Sequence, residues 1–100
     1  MSYQIILEAD AEQDIDAATA WLAQYEPAKA VARHFDVMEA IDSLQTFPLR
    51  CPLAPESVTY GVAIRQLIFQ NYRILYLVVR QTVYVLRVRH GRQDTLTPDE

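Results

Sequence analysis

Residues 61–92 read GVAIRQLIFQNYRILYLVVRQTVYVLRVRHGR, almost all β-branched, aromatic or aliphatic, with arginine at intervals. No Asp or Glu lies between Ser57 and Gln93. Six of the nine basic residues do: Arg65, Arg73, Arg80, Arg87, Arg89 and Arg92. The pattern predicts three strands, over residues 62–69, 72–79 and 82–89, joined by tight turns at Gln70-Asn71 and Arg80-Gln81. Two consecutive hairpins make an antiparallel meander. The middle strand is apolar on both faces: Ile74, Tyr76 and Val78 on one, Leu75, Leu77 and Val79 on the other. It is therefore predicted to be central and covered on both sides. In the last strand, strict alternation puts Arg87 and Arg89 with Val83 and Val85, and Tyr84, Leu86, Val88 and His90 opposite.

Upstream, residues 3–7 (YQIIL) read as a short strand whose continuous apolar run suggests burial on both sides. Asp10 is placed to cap a first helix, with Gln13 completing a capping-box pattern. Ile15, Ala18, Leu22 and Tyr25 make its buried stripe, and Trp21 flanks it. Pro27 opens a second helix, residues 28–44, with the stripe Val31, Phe35, Met38, Ile41 (or Ala40) and Leu44. Two amphipathic helices on a short turn form an antiparallel hairpin. Phe47-Pro48 ends it. Pro48, Pro52 and Pro55 then predict a stiff, extended surface connection. Nothing from Asp94 onward supports packing, so the tail is expected to fray. The order is β-α-α-β-β-β: an α+β fold, with the N-terminal strand and helical hairpin packed on a mainly antiparallel sheet.

One hundred residues suit a single domain, residues 1–100. Two glycines and no low-complexity run argue against long disorder. One cysteine, no leader and no long apolar run predict a reduced, soluble, cytoplasmic protein without membrane contact. The net charge of −4 conceals a division. Residues 1–58 carry ten acids and three bases (−7), and residues 59–100 carry three acids and six bases (+3). A basic sheet on an acidic protein still binds a polyanion or an acidic peptide locally.

Arg73 is the most informative charge, because a lone guanidinium in a buried strand is costly unless paired. It is either a strand-end arginine reaching solvent or an internal carboxylate, or a clamp for phosphate or carboxylate. Arg89, His90 and Arg92 cluster at the end of the last strand, where histidine can act as acid or base. The plain alternative for that cluster is a solvated basic strand end. Arg65 and Arg87 are further binding candidates on the basic sheet, and Trp21 is a core or partner-contact residue. Arg80 reads as a solvated turn residue and His34 as an exposed helix residue. Cys51, far in sequence from both histidines, is a weak nucleophile candidate. No metal-ligand spacing and no phosphate loop occur, so no metal and no cofactor are expected.

The run Asn71-Tyr72-Arg73-Ile74-Leu75-Tyr76, then Val88-Arg89-His90-Gly91-Arg92-Gln93-Asp94, resembles the RelE/ParE superfamily of toxins from bacterial type II toxin–antitoxin modules. Leu44 and Phe47-Pro48 match the usual end of that superfamily's second helix. The resemblance covers nearly the whole chain. It implies a toxin held by a cognate antitoxin whose C-terminal segment wraps it, in a hetero-oligomer. It leaves two targets. RelE-like members cleave messenger RNA on the ribosome, which would make Arg73, His90, Arg89 and Arg92 catalytic. ParE-like members poison DNA gyrase and are not nucleases; antitoxin or target binding would then fall to Arg65, Arg73, Arg87, Arg89, Arg92 and Trp21. The lysines common in the nuclease branch are missing from Val62-Ala63-Ile64-Arg65-Gln66-Leu67, and nothing after Tyr84 is aromatic. The Arg-His-Gly-Arg ending is ParE-like. A gyrase-directed toxin is therefore the expectation, with a RelE-like nuclease or an inactive antitoxin-binding paralogue as alternatives.

Overall fold

A computed structural model describes residues 2–90. The predicted fraying from Asp94 lies outside the described residues. The chain forms β1 (Gln4–Leu7), α1 (Ala9–Ala23), α2 (Pro27–Asp42), α3 (Glu56–Tyr60), β2 (Arg65–Phe69), β3 (Tyr72–Val79) and β4 (Thr82–His90), with short 3-10 turns at Ser43–Gln45 and Pro48–Arg50. The four strands lie in the order β1-β4-β3-β2. β2, β3 and β4 form the predicted antiparallel meander, and β1 joins β4 in parallel. The mixed α+β architecture matches expectation. Both hairpin turns place their first residue in the left-handed region, Gln70 at φ 53° and Arg80 at φ 57°. That conformation costs a non-glycine residue roughly 1–2 kcal/mol, which pairing of the flanking strands offsets.

β3 is central, and Tyr72, Arg73, Ile74, Leu75 and Tyr76 are all buried. Its two faces serve two cores. Tyr72, Ile74 and Tyr76 join Val83, Val85 and Val88 under the helical hairpin. Leu75 turns the other way and packs with Ala54, Ile64 and Leu86. The β3–β4 register slips between Leu75, opposite Arg87, and Tyr76, opposite Val85. One extra residue on β4, a bulge at Leu86, shifts the alternation by one position. Val88 and His90 therefore share the helix-side face with Val83 and Val85, and Arg89 lies on the opposite face. Strict alternation had paired these residues the other way.

The helices follow the predicted order with corrections to their faces. α1 starts at Ala9; Asp10 sits in the first turn rather than capping it, and Glu8 holds the cap position without a side-chain bond. Ala11 and Ile15 are buried, with Ala18 packed against the core. Tyr25, predicted in the stripe, falls beyond the helix end and is 66% exposed. In α2 the buried residues are Ala30, Val37 and Ile41, followed by Leu44 in the next turn. Val31 and Phe35, predicted to be buried, are 71% and 65% exposed. Ile41 and Leu44 are buried as predicted and Met38 packs against the core, so the departure is confined to the first half of the helix, where Ala30 and Val37, about 100° or more from Val31 and Phe35 by helical spacing, turn inward. The small Ala30 faces inward and the larger residues flank the helix. β1 alternates between exposed and part-buried residues instead of burying both faces. It is an edge strand, with only the helical side covered.

The proline-rich connection differs most from expectation. It folds into a 3-10 turn and α3, and it buries Pro48, Cys51, Ala54 and Glu56. Backbone polar groups carried inward must find partners. The Tyr76 hydroxyl donates to the Pro48 carbonyl. Arg65 donates to the carbonyls of Cys51 (2.7 Å) and Leu49 (3.3 Å). Ser57 Oγ donates to the Ile64 carbonyl at 2.7 Å and accepts from the Ile64 amide at 2.8 Å. These bonds occupy residues that the sequence assigned to a longer strand, so β2 begins at Arg65. α3 and its flanks cover the sheet face opposite the hairpin.

Candidate functional site

Two surfaces gather the charged and aromatic residues. The first lies on the α3 side of the sheet. Arg73 projects there from β3, paired across the ladder with Arg89. Its Nη2 and Nη1 donate to the two carboxylate oxygens of Glu56 at 2.8 and 3.1 Å. Its Nε and Nη2 donate to Gln66 Oε1 at 3.0 and 2.8 Å. Arg73 is only 9% exposed. Burial raises the Glu56 pKa, but hydrogen bonds from Arg73 and its own backbone amide, with the charges of Arg73 and Arg89, outweigh it and hold the carboxyl below its ordinary value. This is the forked pairing that guanidinium geometry favours, made here to the chain's own carboxylate.

The second surface is a groove of about 470 Å³ beside the ends of β3 and β4. α1 supplies Ala17, Ala18, Trp21 and Leu22 to its wall, Tyr72 and Val88 line it from the sheet, and Arg33 and His90 complete it. The Arg33 guanidinium lies 5.9 Å from the centre of the Tyr72 ring. His90 meets the same ring edge-on at 5.3 Å. Trp21 is 60% exposed and stacks on Tyr25 at 5.3 Å. Asp14 borders the groove where β1 has ended and the β4 edge is open. Its carboxylate accepts from Arg87 Nε at 2.7 Å, from Arg87 Nη2 at 3.0 Å and from the Val88 amide at 2.9 Å. Hydrogen bonding to Asp14, opposed by burial, raises the Arg87 pKa.

The sequence-derived candidates thus separate. Arg73 and Arg89 sit together on the α3 side. His90 and Trp21 border the groove, with Arg87 tied to Asp14 next to it. Arg65 braces the 49–51 turn. Arg92 lies outside the described residues. Cys51 is a buried free thiol beside the Tyr76 hydroxyl, whose pKa is raised by burial first and by Cys51 next. Among the described residues no cluster of His, Cys, Asp or Glu is arranged to hold a metal ion. Likewise, none of the described helices is long and apolar enough to cross a membrane.

Sequence reasoning missed four participants. Glu56 is the last acid before the acid-free stretch, and a buried arginine demands a counter-charge, so a signal existed. Gln66, Asp14 and Arg33 carry no comparable signal, because their roles depend on register and helix rotation.

A family model described as the ParE toxin of the type II toxin-antitoxin system, parDE, matches residues 5–95. The fold is also that of solved toxin–antitoxin systems. A chromosomal ParDE TA system from P. aeruginosa aligns with a TM-score of 0.76 at 20% identity, over 89% of this chain and 96% of that one. The toxin-antitoxin complex RelBE2 from Mycobacterium tuberculosis aligns with a TM-score of 0.59 at 26% identity, over 90% and 99%. No curated protein matches the chain. The fold is thus that of the RelE/ParE-like toxins. Within that class, the chain belongs to the ParE toxin family of type II toxin–antitoxin systems.

Proposed function

We propose that this toxin inhibits DNA gyrase in the cytoplasm, without cleaving RNA, and is neutralised by a cognate antitoxin. The observation that carries the reading is the engagement of Arg73. A RelE-like mechanism would need that guanidinium to hold a phosphate. Here both carboxylate oxygens of Glu56 and the Gln66 carbonyl already occupy it, at 2.8–3.1 Å. An RNA phosphate would have to displace a bidentate, largely buried carboxylate and leave that charge without its partner, which costs several kcal/mol. The missing lysines before the Tyr72-Arg73 pattern point the same way, since phosphate contacts dominate affinity for RNA. An antitoxin partner is supported by the solved relatives, which are toxin–antitoxin assemblies.

The test is induction of the chain alone in a bacterial host, with plasmid supercoiling and transcript integrity followed in parallel. Growth arrest with altered supercoiling and intact transcripts is the expected result. Arrest with transcripts cut at ribosome-bound codons would establish the nuclease instead. No arrest would leave an inactive antitoxin-binding paralogue.

A further inference from the structure

We infer that a second copy of this chain docks on the open part of the sheet face opposite the helical hairpin, in a two-fold dimer that pairs Arg80 with the partner's Glu8 and Glu8 with the partner's Arg80. The inference goes beyond the toxin reading and does not depend on it. It concerns the side of the molecule away from the groove.

Strand register defines the face. Val83 and Val85 point into the hairpin-side core, with Ile5 and Leu7 packed against it. Alternation sends their neighbours Ile6, Thr82 and Tyr84 to the other side. Residues directly opposite each other in a ladder share a face. Tyr84 lies opposite both Ile6 and Leu77, and Thr82 lies opposite both Gln4 and Val79. Two adjacent rows therefore run across three strands, Ile6-Tyr84-Leu77 and Gln4-Thr82-Val79. The cover that α3 and its flanks give to this face reaches Leu75 and Leu86 and ends there. Val79 is 50% exposed and Ile6 36%, while Leu77 and Tyr84 are part-buried. Contiguous exposed apolar residues mark interaction sites. The flat face of one sheet packs on another about 10 Å away.

Charge decides the occupant. Arg80 stands exposed in the β3–β4 turn, at the Gln4-Thr82-Val79 end of the face. Glu8 follows β1 in extended backbone, φ −69° and ψ 156°, and so falls on the same face as Gln4 and Ile6 at its other end. About 13 Å of strand separates Gln4 from Glu8. Neither Arg80 nor Glu8 has an ion-pair partner among the described residues. On the same face Arg73 and Arg87 are already paired, with Glu56 and Asp14. A polyanion is repelled by Glu8 and gains nothing from the apolar rows. A peptide of one charge sign answers only one end. A second copy answers both, because the face carries its own complement. A two-fold axis lying between two such faces, at right angles to the line from Arg80 to Glu8 and through its midpoint, exchanges the two ends. Both ion pairs then form at once, as an isologous interface requires, and the apolar rows meet between them.

The experiment is sedimentation equilibrium on the purified full chain over a range of concentrations, with far-ultraviolet circular dichroism checking the fold of each variant. The wild type is expected to be a dimer in equilibrium with monomer. Val79→Lys is expected to give a folded monomer, since Val79 lies outside both buried cores. Arg80→Glu and Glu8→Arg are each expected to weaken the dimer at least about tenfold, because each sets like charges against each other twice. The double variant Arg80→Glu/Glu8→Arg restores the pairs with their signs exchanged, and is expected to dimerise within about threefold of wild type. A wild-type chain that stays monomeric at every concentration would overturn the inference. So would a dimer that survives both Val79→Lys and Arg80→Glu, or single variants that weaken it with no recovery in the double. A monomeric wild type whose folded Val79→Lys variant no longer arrests growth would overturn it in favour of a contact with the toxin's target.

Discussion

Glu56 and Arg73 meet fork to fork, at 2.8 and 3.1 Å, across the face of the sheet that the helical hairpin leaves uncovered. The pair fastens α3 to the central strand and fixes the position of the preceding 48–55 segment. Breaking one half of a buried pair costs more than the pair contributes, because the remaining charge keeps its desolvation penalty. Glu56→Ala should therefore lower unfolding stability by about 3 kcal/mol or more. The double variant Glu56→Leu/Arg73→Met should recover most of that loss, since an apolar replacement leaves no buried charge. Urea unfolding of the two variants checks both directions. Equal losses in the single and the double variant would show that the contact, not the orphaned charge, is what matters.

The same pair sets the acid limb of stability. The folded pKa of Glu56 lies below its ordinary value of 4.5. Between the folded and unfolded pKa values the unfolded chain binds more protons, so acidification favours unfolding. The contribution is fully present above pH 4.5 and disappears as pH falls through the folded value. Tyr76 acts at the other end. Its folded pKa lies above the ordinary 10.0, so its contribution is present below pH 10.0 and is lost as pH rises through the folded value. Unfolding free energies measured against pH should show a reduced acid slope in Glu56→Gln and a reduced alkaline slope in Tyr76→Phe. A Glu56→Gln profile parallel to wild type below pH 4.5 would refute the assignment.

Asp14 closes the β4 edge that β1 is too short to reach. β1 pairs with Thr82 to Val85 only, and the next exposed ladder amide, that of Val88, is taken by the Asp14 carboxylate at 2.9 Å. Asp14→Ala should cost about 1–3 kcal/mol, because it orphans that amide and the Arg87 fork together. Asp14→Asn retains an acceptor oxygen for the amide and should lose less. Hydrogen exchange at Val88 distinguishes them: fast in the alanine variant, near wild type in the asparagine one.

What the sequence revealed and concealed follows from where each instruction resides. The meander was legible because β3 is apolar on both faces and the hairpin turns are short. The hairpin of helices was legible because its apolar positions repeat every three or four residues. The face of α2 was legible only in its second half, where Met38, Ile41 and Leu44 turn inward as predicted; in the first half Val31-Phe35 and Ala30-Val37 both lead into that stripe at helical spacing, and only packing against α1 and the sheet selects between them. The bulge at Leu86 was hidden for a different reason. Nothing in Val85-Leu86-Arg87-Val88 announces an extra residue, yet it exchanges the faces of Arg89 and His90. The proline-rich segment read as an exposed strap because prolines favour extended backbone. Its burial depends on distant partners, the Tyr76 hydroxyl and the Arg65 guanidinium. Arg73 was recognised as a charge in need of a partner, but that partner, Glu56, lies seventeen positions upstream on an element the prolines concealed.

The apolar double variant, with transcripts followed beside growth, also bears on the two toxin mechanisms. Glu56→Leu/Arg73→Met removes the guanidinium that phosphate chemistry would require, while keeping the α3 contact packed. A nuclease that stabilises transition-state charge with one arginine typically loses two or more orders of magnitude in rate when it is removed. A gyrase inhibitor that uses Arg73 only to hold α3 loses nothing beyond stability. Induced from the same promoter, the double variant should arrest growth and alter plasmid supercoiling as the wild type does, once soluble amounts are matched. His90→Ala should likewise retain arrest, because His90 contacts Tyr72 in the groove rather than a reacting atom. Loss of arrest in the double variant at matched soluble protein would show that Arg73 does more than hold α3; if the wild type then cuts transcripts that the double variant leaves intact, Arg73 belongs to the chemistry and the gyrase reading falls.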